Sequence, residues 1–500
     1  MEQLVRHDQR HRVMAILGVI AAMAIFGNLA WGAGPLRVSS HNSRWFTDNS
    51  GNAVYFACSH TWSALVDNGA TDPPVVFDYP DFLDWLQKQG HNCTKLWTFE
   101  EARYSTEVVS DDYWFAPMIY ARTGPGNALD GKPKFDVKTF NQSYFDRLRD
   151  RVLKAQERGI YVIVPFFNGW SIGSPKGDAG LNNPWKGHPY NQANNINGVD
   201  GDVNGDGSGQ EIHTLANATV THLQEDYVRK VIEAIGEFDN VLWEVSIESF
   251  NDSTPWQAHI MKVIREYESA RGKRHPVGMT TQNPKGTNQA VLESSADWIS
   301  VLGENEVPGH YYRQDPPCCK TRKVVISDTD HLWGIGGTRE WVWKTFTRGL
   351  YPIFMDCYDP RQGGLGVGGA TAACSNPEFA SLRANLGYTV RYAQMMNLIE
   401  MSPRDSLSST GYCLSRNRST NAEYLVYQPK GGEPFSLDLR ATSPQSILRV
   451  EWFDPLTGRT IRGSSLPGGE TYTFVPPFKE NDAVLYVTNR SVSRSPAGSR

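Results

Sequence analysis

Two short stretches of the sequence place acidic side chains where a strand is expected to end. The first, NVLWEVSIESF from Asn240 to Phe250, begins with an apolar run and continues with Glu244, Ser246 and Glu248 at alternate positions. Alternate residues of a β-strand share one face, so these three polar side chains point in the same direction. A carboxylate at the end of a buried strand is unfavourable unless it is paired or takes part in chemistry. Glu248 is therefore the first candidate for a catalytic acid.

The second stretch, KVVISDTDHLWG at 323–334, offers two aspartates at the end of an apolar run. Asp328 and Asp330 are two positions apart and would share one face of a strand. Because Asp328 comes where the apolar run ends, we expect it to act as a nucleophile or base. Asp330 and His331 would then modulate it or bind substrate. The alternative is a turn in which Asp328 caps a helix.

Two carboxylates flanking a bond are what glycoside cleavage requires, one to protonate the leaving oxygen and one to attack or to activate water. We therefore predict a glycosidase that cleaves O-glycosidic bonds of a polysaccharide or oligosaccharide. Glu248 is the predicted general acid/base and Asp328 the predicted nucleophile or base. No cofactor is expected for catalysis.

The elements that must position these residues are strands alternating with helices. Eight apolar runs of strand length occur within roughly 300 residues, which is typical of a (β/α)8 barrel. A doubly wound open sheet also fits the alternation. We favour the barrel because polar residues follow nearly every strand, where the active site of a barrel is built. The predicted strands are Val54–Ser59, Cys93–Thr98, Ile160–Phe167, the run after Asn240, His275–Thr281, Trp298–Leu302, Lys323–Asp328 and Tyr351–Met355.

Aromatic and polar residues near these strand ends are candidates for sugar binding, since aromatic faces suit sugar rings. Taken singly, each is more often a core residue, and only their recurrence at successive strand ends favours function. The candidates are His60, Trp62, Trp97, Glu100, Asn168, Trp170, Asp330, His331 and Trp333.

Four segments are predicted along the chain. Residues 1–34 form a signal peptide or N-terminal membrane anchor, and 35–405 form the catalytic barrel, which begins with a short β-hairpin. Short alternating runs separated by turn residues predict an antiparallel β-sandwich over 406–490. The polar tail, 491–500, is expected to be disordered.

The first segment carries the signals of export. Arg6, Arg10 and Arg12 precede the apolar stretch Val13–Ala30, as in a signal peptide. That stretch is also barely long enough to span a bilayer, so an uncleaved anchor is the alternative. Either way the body is secreted, periplasmic or held at the outer face of the membrane. A net charge of −5 without a basic stripe argues against a nucleic-acid partner, and no obligate protein partner is evident.

The seven cysteines do not predict a complete disulfide framework. Cys58 and Cys93 fall in neighbouring predicted strands and are expected to be buried free thiols. Cys318 and Cys319 lie in a loop, and pairing with Cys374 or a reduced state both remain open. No Cys or His spacing typical of zinc occurs.

A separate motif between the third and fourth strands fits calcium-loop spacing. Asp200, Asp202, Asn204 and, after Gly205, Glu211 match D-x-[DN]-x-[DN]-G-x5-E, which wraps oxygen ligands around a hard cation. A polar surface loop is the alternative interpretation, as is a place for Glu211 and His213 at the sugar cleft.

The segments VYFACSHTWSALVD, HNCTKLWTFEEAR, NVLWEVSIES and VVISDTDHLWG resemble the cellulase-like glycoside hydrolases of clan A, and among them an apiosidase-like branch. In that branch the barrel is followed by a sandwich called a collagen-binding domain, to which EYLVYQPKGG and LRVEWFDPLTGR are similar. The resemblance implies that Glu248 is the strand-four acid/base and Asp328 the strand-seven nucleophile. Two positions depart from the pattern, since Ile247 replaces the usual Asn and strand seven offers Asp instead of Glu. The shorter side chain leaves open whether hydrolysis retains or inverts configuration.

Two other functions fit parts of the sequence. Ile247 motivates a non-catalytic glycan-binding protein on the same scaffold. A barrel metallohydrolase would use His60, Asp328, Asp330 and His331, but strand one lacks a His-x-His pair. We expect the sandwich to brace the barrel rather than to bind collagen.

Overall fold

In this computed structural model the described residues are 34–104, 113–173, 183–283, 286–303, 311–317, 323–358 and 376–489. Eight parallel strands form one sheet, and they coincide with the eight predicted runs. They are β1 (Cys58–His60), β2 (Cys93–Lys95), β3 (Tyr161–Asn168), β4 (Val241–Ile247), β5 (Val277–Thr280), β6 (Trp298–Ser300), β7 (Val324–Asp328) and β8 (Tyr351–Met355).

The sheet closes into a barrel. Its strands are hydrogen-bonded in the order β1-β8-β7-β6-β5-β4-β3-β2, and a parallel bridge between Thr61 and Leu96 joins the two ends. Every residue of β4, β7 and β8 is buried, as expected for strands covered by helices on one side and packed inside on the other. The predicted (β/α)8 fold is confirmed.

Helices with one buried face cover the outside of the barrel, and one short helix lies directly after β7 at the cavity. They are α1 (Tyr79–Lys88), α2 (Gln142–Glu157), α3 (Ala218–Ile235), α4 (Thr254–Ser269), α5 (Asn288–Glu293), α6 (Tyr311–Gln314), α7 (Thr329–Leu332), α8 (Arg339–Thr347) and α9 (Glu378–Met395). Helix α3 begins directly after Asn217, whose side chain accepts hydrogen bonds from the Thr219 and Val220 backbone amides.

Several short strands lie outside the barrel sheet. The predicted N-terminal hairpin is a three-stranded sheet of Arg37–Val38, Phe46–Thr47 and Ala53–Val54. Two further antiparallel pairs, which the sequence did not predict, are Asp67–Gly69 with Trp114–Ala116 and Tyr120–Asn127 with Pro133–Phe140. The glycines and prolines of the last pair hide its strand pattern.

The C-terminal strands are antiparallel, as predicted. The larger sheet contains Ser402–Pro403, Cys413–Arg416, Glu423–Gln428, Ala483–Thr488, Ile447–Phe453, Thr460–Arg462 and Leu466–Pro467, and a second sheet pairs Phe435–Asp438 with Thr471–Phe474.

The C-terminal sheets share a core with the barrel's outer helices. Trp343 of α8 stacks on Tyr427 with ring centroids 6.4 Å apart, and Tyr392 of α9 packs against Phe453 at 5.6 Å. A continuous apolar interface of this kind holds the two parts together.

Cys58 and Cys93 form a disulfide with a Cα–Cα distance of 5.3 Å, so the prediction of two free thiols was wrong. The sequence placed the two cysteines in neighbouring strands but not in register. In the folded chain they lie side by side on β1 and β2, which brings the two sulfurs together. Cys357 is also disulfide-bonded, whereas Cys318, Cys319 and Cys374 lie outside the described residues.

We expect the Cys58→Ala/Cys93→Ala double variant to lose about 3 kcal/mol of unfolding free energy, because the disulfide restricts the unfolded chain. Urea unfolding of the variant and the wild type measures the difference. The control is Cys413→Ala, which removes a buried free thiol in the C-terminal sheet. Equal midpoints for the double variant and the wild type would contradict the expectation.

Among the described residues, no helix is long and apolar enough to span a bilayer. The predicted export segment through residue 33 and the predicted tail at 491–500 lie outside the described residues.

Candidate active site

A cavity of about 260 Å³ opens at the carboxyl end of the barrel strands. Aromatic side chains and carboxyl groups dominate its walls. The described residues that line it are Trp62, Trp97, Phe99, Glu101, Trp170, Glu248, Asn283, Asp330, Gly334 and Met355. Trp97 and Phe99 are nearly parallel, with ring centroids 6.1 Å apart, and Trp62 lies 6.0 Å from Trp97. These three rings form one apolar wall.

Glu248 follows the last residue of β4 and is almost fully buried, with 3% of its surface exposed. The Trp170 indole donates a hydrogen bond to its Oε2 at 2.8 Å, and the Asn283 amide donates to the same oxygen at 3.0 Å. Its backbone has a φ of +39°, a conformation that side-chain-bearing residues seldom adopt. Such backbone strain is concentrated at functional sites.

The backbone beside Glu248 leaves no room for a side chain at Gly169. A Cβ at that position would lie 2.2 Å from the Glu248 carbonyl oxygen and 2.9 Å from the Ser249 Cα. Gly169 also donates a backbone hydrogen bond to Ile247 at 2.8 Å. The chain after β3 is thus fitted directly against the chain after β4, which fixes Trp170 relative to Glu248.

We expect Gly169→Ala to lower kcat/KM about a hundredfold, because a displacement of about 1 Å at a reacting group has an effect of that size. The matched control is Gly272→Ala in a turn where an added Cβ meets nothing within 4 Å. The control should lose some stability through its positive φ but keep its activity. Full activity in Gly169→Ala would show that the close approach does not position Glu248.

Asp328 ends β7, but its side chain is buried below the cavity and does not line it. Its Oδ1 accepts hydrogen bonds from His60 Nε2 at 2.9 Å and from the Asp330 amide at 3.0 Å, and its Oδ2 accepts one from Lys95 at 2.7 Å. The bond to Asp330 makes Asp328 the N-cap of α7, which is the alternative the sequence left open.

A buried charged layer therefore underlies the cavity. Lys95 lies 2.7 Å from Asp328 and 3.4 Å from Glu244, and each of these side chains is at most 2% exposed. Burial acts to lower the pKa of Lys95, but the charges of Asp328 and Glu244 outweigh it and raise the pKa. Burial acts to raise the pKa of Asp328, but His60 and the charge of Lys95 hold it well below its usual range.

Asp330 is the aspartate of this segment that faces the cavity. Its Oδ2 has no hydrogen-bond partner, although His331 Nε2 lies 3.3 Å away. Burial acts to lower the pKa of His331, but its contact with Asp330 and the charge of Asp328 outweigh it and raise the pKa. His331 Nδ1 is hydrogen-bonded to Ser300 at 2.7 Å, so this imidazole holds Asp330 from behind and does not line the cavity.

The predicted sugar-binding residues separate into two groups. Trp62, Trp97, Trp170 and Asp330 line the cavity. The others do not, and these are His60, Glu100, Asn168, His331 and Trp333.

Hydrogen bonds account for the buried polar members of the second group. Trp97 Nε1 donates to His60 Nδ1 at 2.8 Å, so His60 carries its proton on Nε2 and donates it to Asp328. The Asn168 side chain donates a hydrogen bond to the Thr98 carbonyl at 3.0 Å and accepts one from the Trp170 backbone N–H at 2.9 Å. His60 and Asn168 therefore hold the loops that carry the lining residues.

Glu100 belongs to a buried cluster behind the cavity. Its carboxylate accepts a hydrogen bond from the backbone N–H of Asn168 at 3.0 Å. The carboxylate oxygens also lie 3.4 Å from His188 Nε2 and 3.6 Å from His213 Nε2. Burial acts to raise the pKa of Glu100, but the hydrogen bonds and charges of His188 and His213 outweigh it and lower the pKa to about 2. Glu100 is therefore ionised.

Five lining residues were not predicted from the sequence, namely Phe99, Glu101, Asn283, Gly334 and Met355. Asn283 follows β5 in a segment without a motif, and no pattern points to it. Glu101 has a signal, the Glu100-Glu101 pair, but the sequence does not show which of the two faces the cavity.

The predicted calcium loop is closed by hydrogen bonds of its own. Asp202 accepts from the amides of Gly205, Asp206 and Gly207, and Asn204 donates to Glu211. Asp200 accepts from the Asp202 amide at 3.1 Å. The structure adds no support for the cation, and the calcium site stays a prediction.

Three clustered groups at the end of β7 have the composition of a metal site. Within the described parts of the chain, the ligand atoms of Asp328, Asp330 and His331 lie within 4.8 Å of one another. The Lys95 ammonium already lies 2.7 Å from Asp328, where it would repel a dication. His60 presents an N–H, not a lone pair, to the same carboxylate. The set predicted for a metallohydrolase does not fit a metal.

Comparisons with known proteins agree with this architecture. Residues 103–303 match a domain of unknown function, DUF6298, and residues 407–488 match the "Putative collagen-binding domain of a collagenase". None of the curated protein sequences matches the chain.

Solved structures similar to this chain include glycoside hydrolases. The chain is similar to a glycoside hydrolase family 5 crystal structure from Bacteroides vulgatus, with 13% identity, a TM-score of 0.60, and coverage of 91% of this chain and 93% of that one. A second structure, described as a glycoside hydrolase, has 14% identity and a TM-score of 0.57 over 91% of this chain and 97% of that one. At such identities the likeness confirms the fold alone.

Proposed function

We propose that this protein is a glycosidase that hydrolyses O-glycosidic bonds of a polysaccharide or oligosaccharide. The observation that carries the proposal is one cavity in which Glu248 and Asp330 meet a wall of aromatic rings. Within the described residues, two buried polar atoms of its lining, Trp62 Nε1 and Glu101 Oε2, have no hydrogen-bond partner. Buried polar groups are normally satisfied, so these atoms are suited to the hydroxyl groups of a sugar.

In this proposal Glu248 protonates the leaving oxygen, and Asp330 supplies the second carboxylate, which attacks the sugar or activates water. The sequence favoured Asp328 for the second role. Both oxygens of Asp328 are instead bound by His60, Lys95 and the Asp330 amide, which leaves it no contact with the cavity. Asp328 therefore acts as a positioning residue, because it fixes the start of α7 and with it Asp330.

The direct test is release of reducing ends from a panel of plant and microbial polysaccharides by the purified protein. We expect hydrolysis of at least one member and no loss of activity with a strong chelator. Anomeric NMR on that substrate then decides between retention and inversion. Absence of hydrolysis on every member would count against the proposal.

The rival function is a non-catalytic glycan-binding protein, for which Ile247 is the specific observation. Ile247 is fully buried and cannot reach the sugar. In its place Asn283, from the end of β5, brings an amide to Glu248. Binding to glycans in affinity electrophoresis without any hydrolysis would favour the rival.

Export is part of the proposal. The Cys58–Cys93 disulfide is the kind of bond that persists in oxidising compartments, which supports a location outside the cytoplasm. The predicted partner is accordingly an extracellular or periplasmic carbohydrate.

A further inference from the structure

The cavity contains a third carboxyl group that the proposed reaction does not use. Glu101 lines the cavity together with Glu248 and Asp330, yet only 1% of its surface is exposed. Its Oε2 is buried and has no hydrogen-bond partner among the residues that the structure describes. A buried carboxylate oxygen without a partner is strongly unfavourable, whereas a neutral carboxyl is much less so.

The surroundings of Glu101 are rich in negative charge. The neighbouring acids are the ionised Glu100 on the same segment, Glu248 after β4 and Asp330 on α7. The positive or titratable groups near them are His188, His213, His331 and Lys95. They contact Glu100, Asp330 or Asp328, and none of them lines the cavity.

Burial, and to a smaller extent the charge of Glu100, raise the pKa of the Glu101 carboxyl well above its usual range. They outweigh the opposing hydrogen bonds with the Ser171 hydroxyl and with the backbone amides of Glu101 and Glu100. The geometry and the charges therefore agree that Glu101 carries a proton near neutral pH.

We infer that Glu101 binds the sugar as a neutral carboxyl group and donates a hydrogen bond from Oε2 to a substrate hydroxyl. This inference rests on the proposed glycosidase function for its substrate. It makes Glu101 a specificity residue, since an anionic sugar would meet three carboxyl groups and, among the described lining residues, no Lys, Arg or His.

Protonation can be tested without a substrate. We expect the infrared difference spectrum of wild type minus Glu101→Gln at pH 7 to contain the carbonyl band of a protonated carboxyl. Carboxylate bands in its place would overturn the inference, whether or not the protein is a glycosidase.

Binding is tested by kinetics on whichever polysaccharide the panel identifies. We expect Glu101→Ala to raise KM about tenfold and Glu101→Gln, whose amide still donates, to stay within about threefold of wild type. KM of the wild type should rise at alkaline pH as Glu101 ionises, and KM of Glu101→Gln should not. Equal defects in the two variants, or the same pH dependence of KM in Glu101→Gln, would overturn the inference. So would a preference for uronate-containing over neutral polysaccharides.

Discussion

Replacing Glu248 by Gln is expected to lower kcat about a thousandfold while the melting temperature stays within a degree or two of wild type. General acid/base catalysis contributes effects of roughly that size, and Gln retains the shape but cannot transfer the proton. Its side-chain oxygen can still accept the hydrogen bonds that Trp170 and Asn283 donate, so the fold has no reason to change.

The measurement is kcat on the polysaccharide that the wild type hydrolyses, together with thermal unfolding of both proteins. Glu266→Gln is the matched control, because Glu266 is an exposed residue of α4 whose nearest cation, Lys262, lies 3.8 Å away. An active Glu248→Gln enzyme would remove Glu248 from the mechanism. A large loss of kcat accompanied by unfolding would leave its catalytic role unsupported.

Asp328→Asn is expected to act mainly on stability, and to lower the unfolding free energy by about 3 kcal/mol. The substitution removes the carboxylate nearest to Lys95 and leaves Glu244, at 3.4 Å, and the more distant Asp330 to balance its buried charge. Removing one partner of a buried pair has effects of this size. Asp330→Asn, two residues away, should lose turnover with little change in stability. The same stability for Asp328→Asn and wild type would contradict the positioning role.

The stability contribution of Asp328 also has a defined pH dependence. The pKa of Asp328 is lower in the folded than in the unfolded chain, so its contribution is complete above the unfolded value of about 4. It is lost as the pH falls from that value through the lower folded pKa. The difference in unfolding free energy between wild type and Asp328→Asn should therefore be constant from about pH 5 to 7 and shrink below about pH 4. A difference that grows on acidification would contradict this sign.

The exposed ion pair of Lys430 and Glu433, 3.6 Å apart, gives a control for the loss of an ordinary surface charge. Glu433→Gln should change the unfolding free energy by less than about 1 kcal/mol, because water already screens that pair.

The barrel was predictable because its strands are continuous apolar runs. In β4, for example, every residue from Val241 to Ile247 is buried. A continuous run of this kind indicates the position of the strand directly. The position of Glu248 at its end follows from the same pattern. The pattern predicts neither the positive φ of Glu248 nor the hydrogen bond that Asn283 donates to it. Both depend on loops that meet only in the folded chain.

The choice between the two aspartates after β7 shows where strand alternation stops being informative. Alternation places Asp328 and Asp330 on one face, but α7 begins at Thr329, directly after the strand. The helical turn rotates Asp330 into the cavity while Asp328 stays below as the helix cap. In the same way, which member of the Glu100-Glu101 pair is ionised depends on His188 and His213, which come much later in the chain.

The most direct measurement is a crystal structure of the Glu248→Gln variant with an oligosaccharide of the hydrolysed polysaccharide bound. We expect a sugar ring to lie against Trp62, Trp97 and Phe99. The substituted amide at position 248 should lie within hydrogen-bond distance of the glycosidic oxygen, and the Asp330 carboxylate should face the anomeric carbon or a water beside it. A sugar bound outside this cavity, or one whose glycosidic bond lies out of reach of both side chains, would contradict the proposed function.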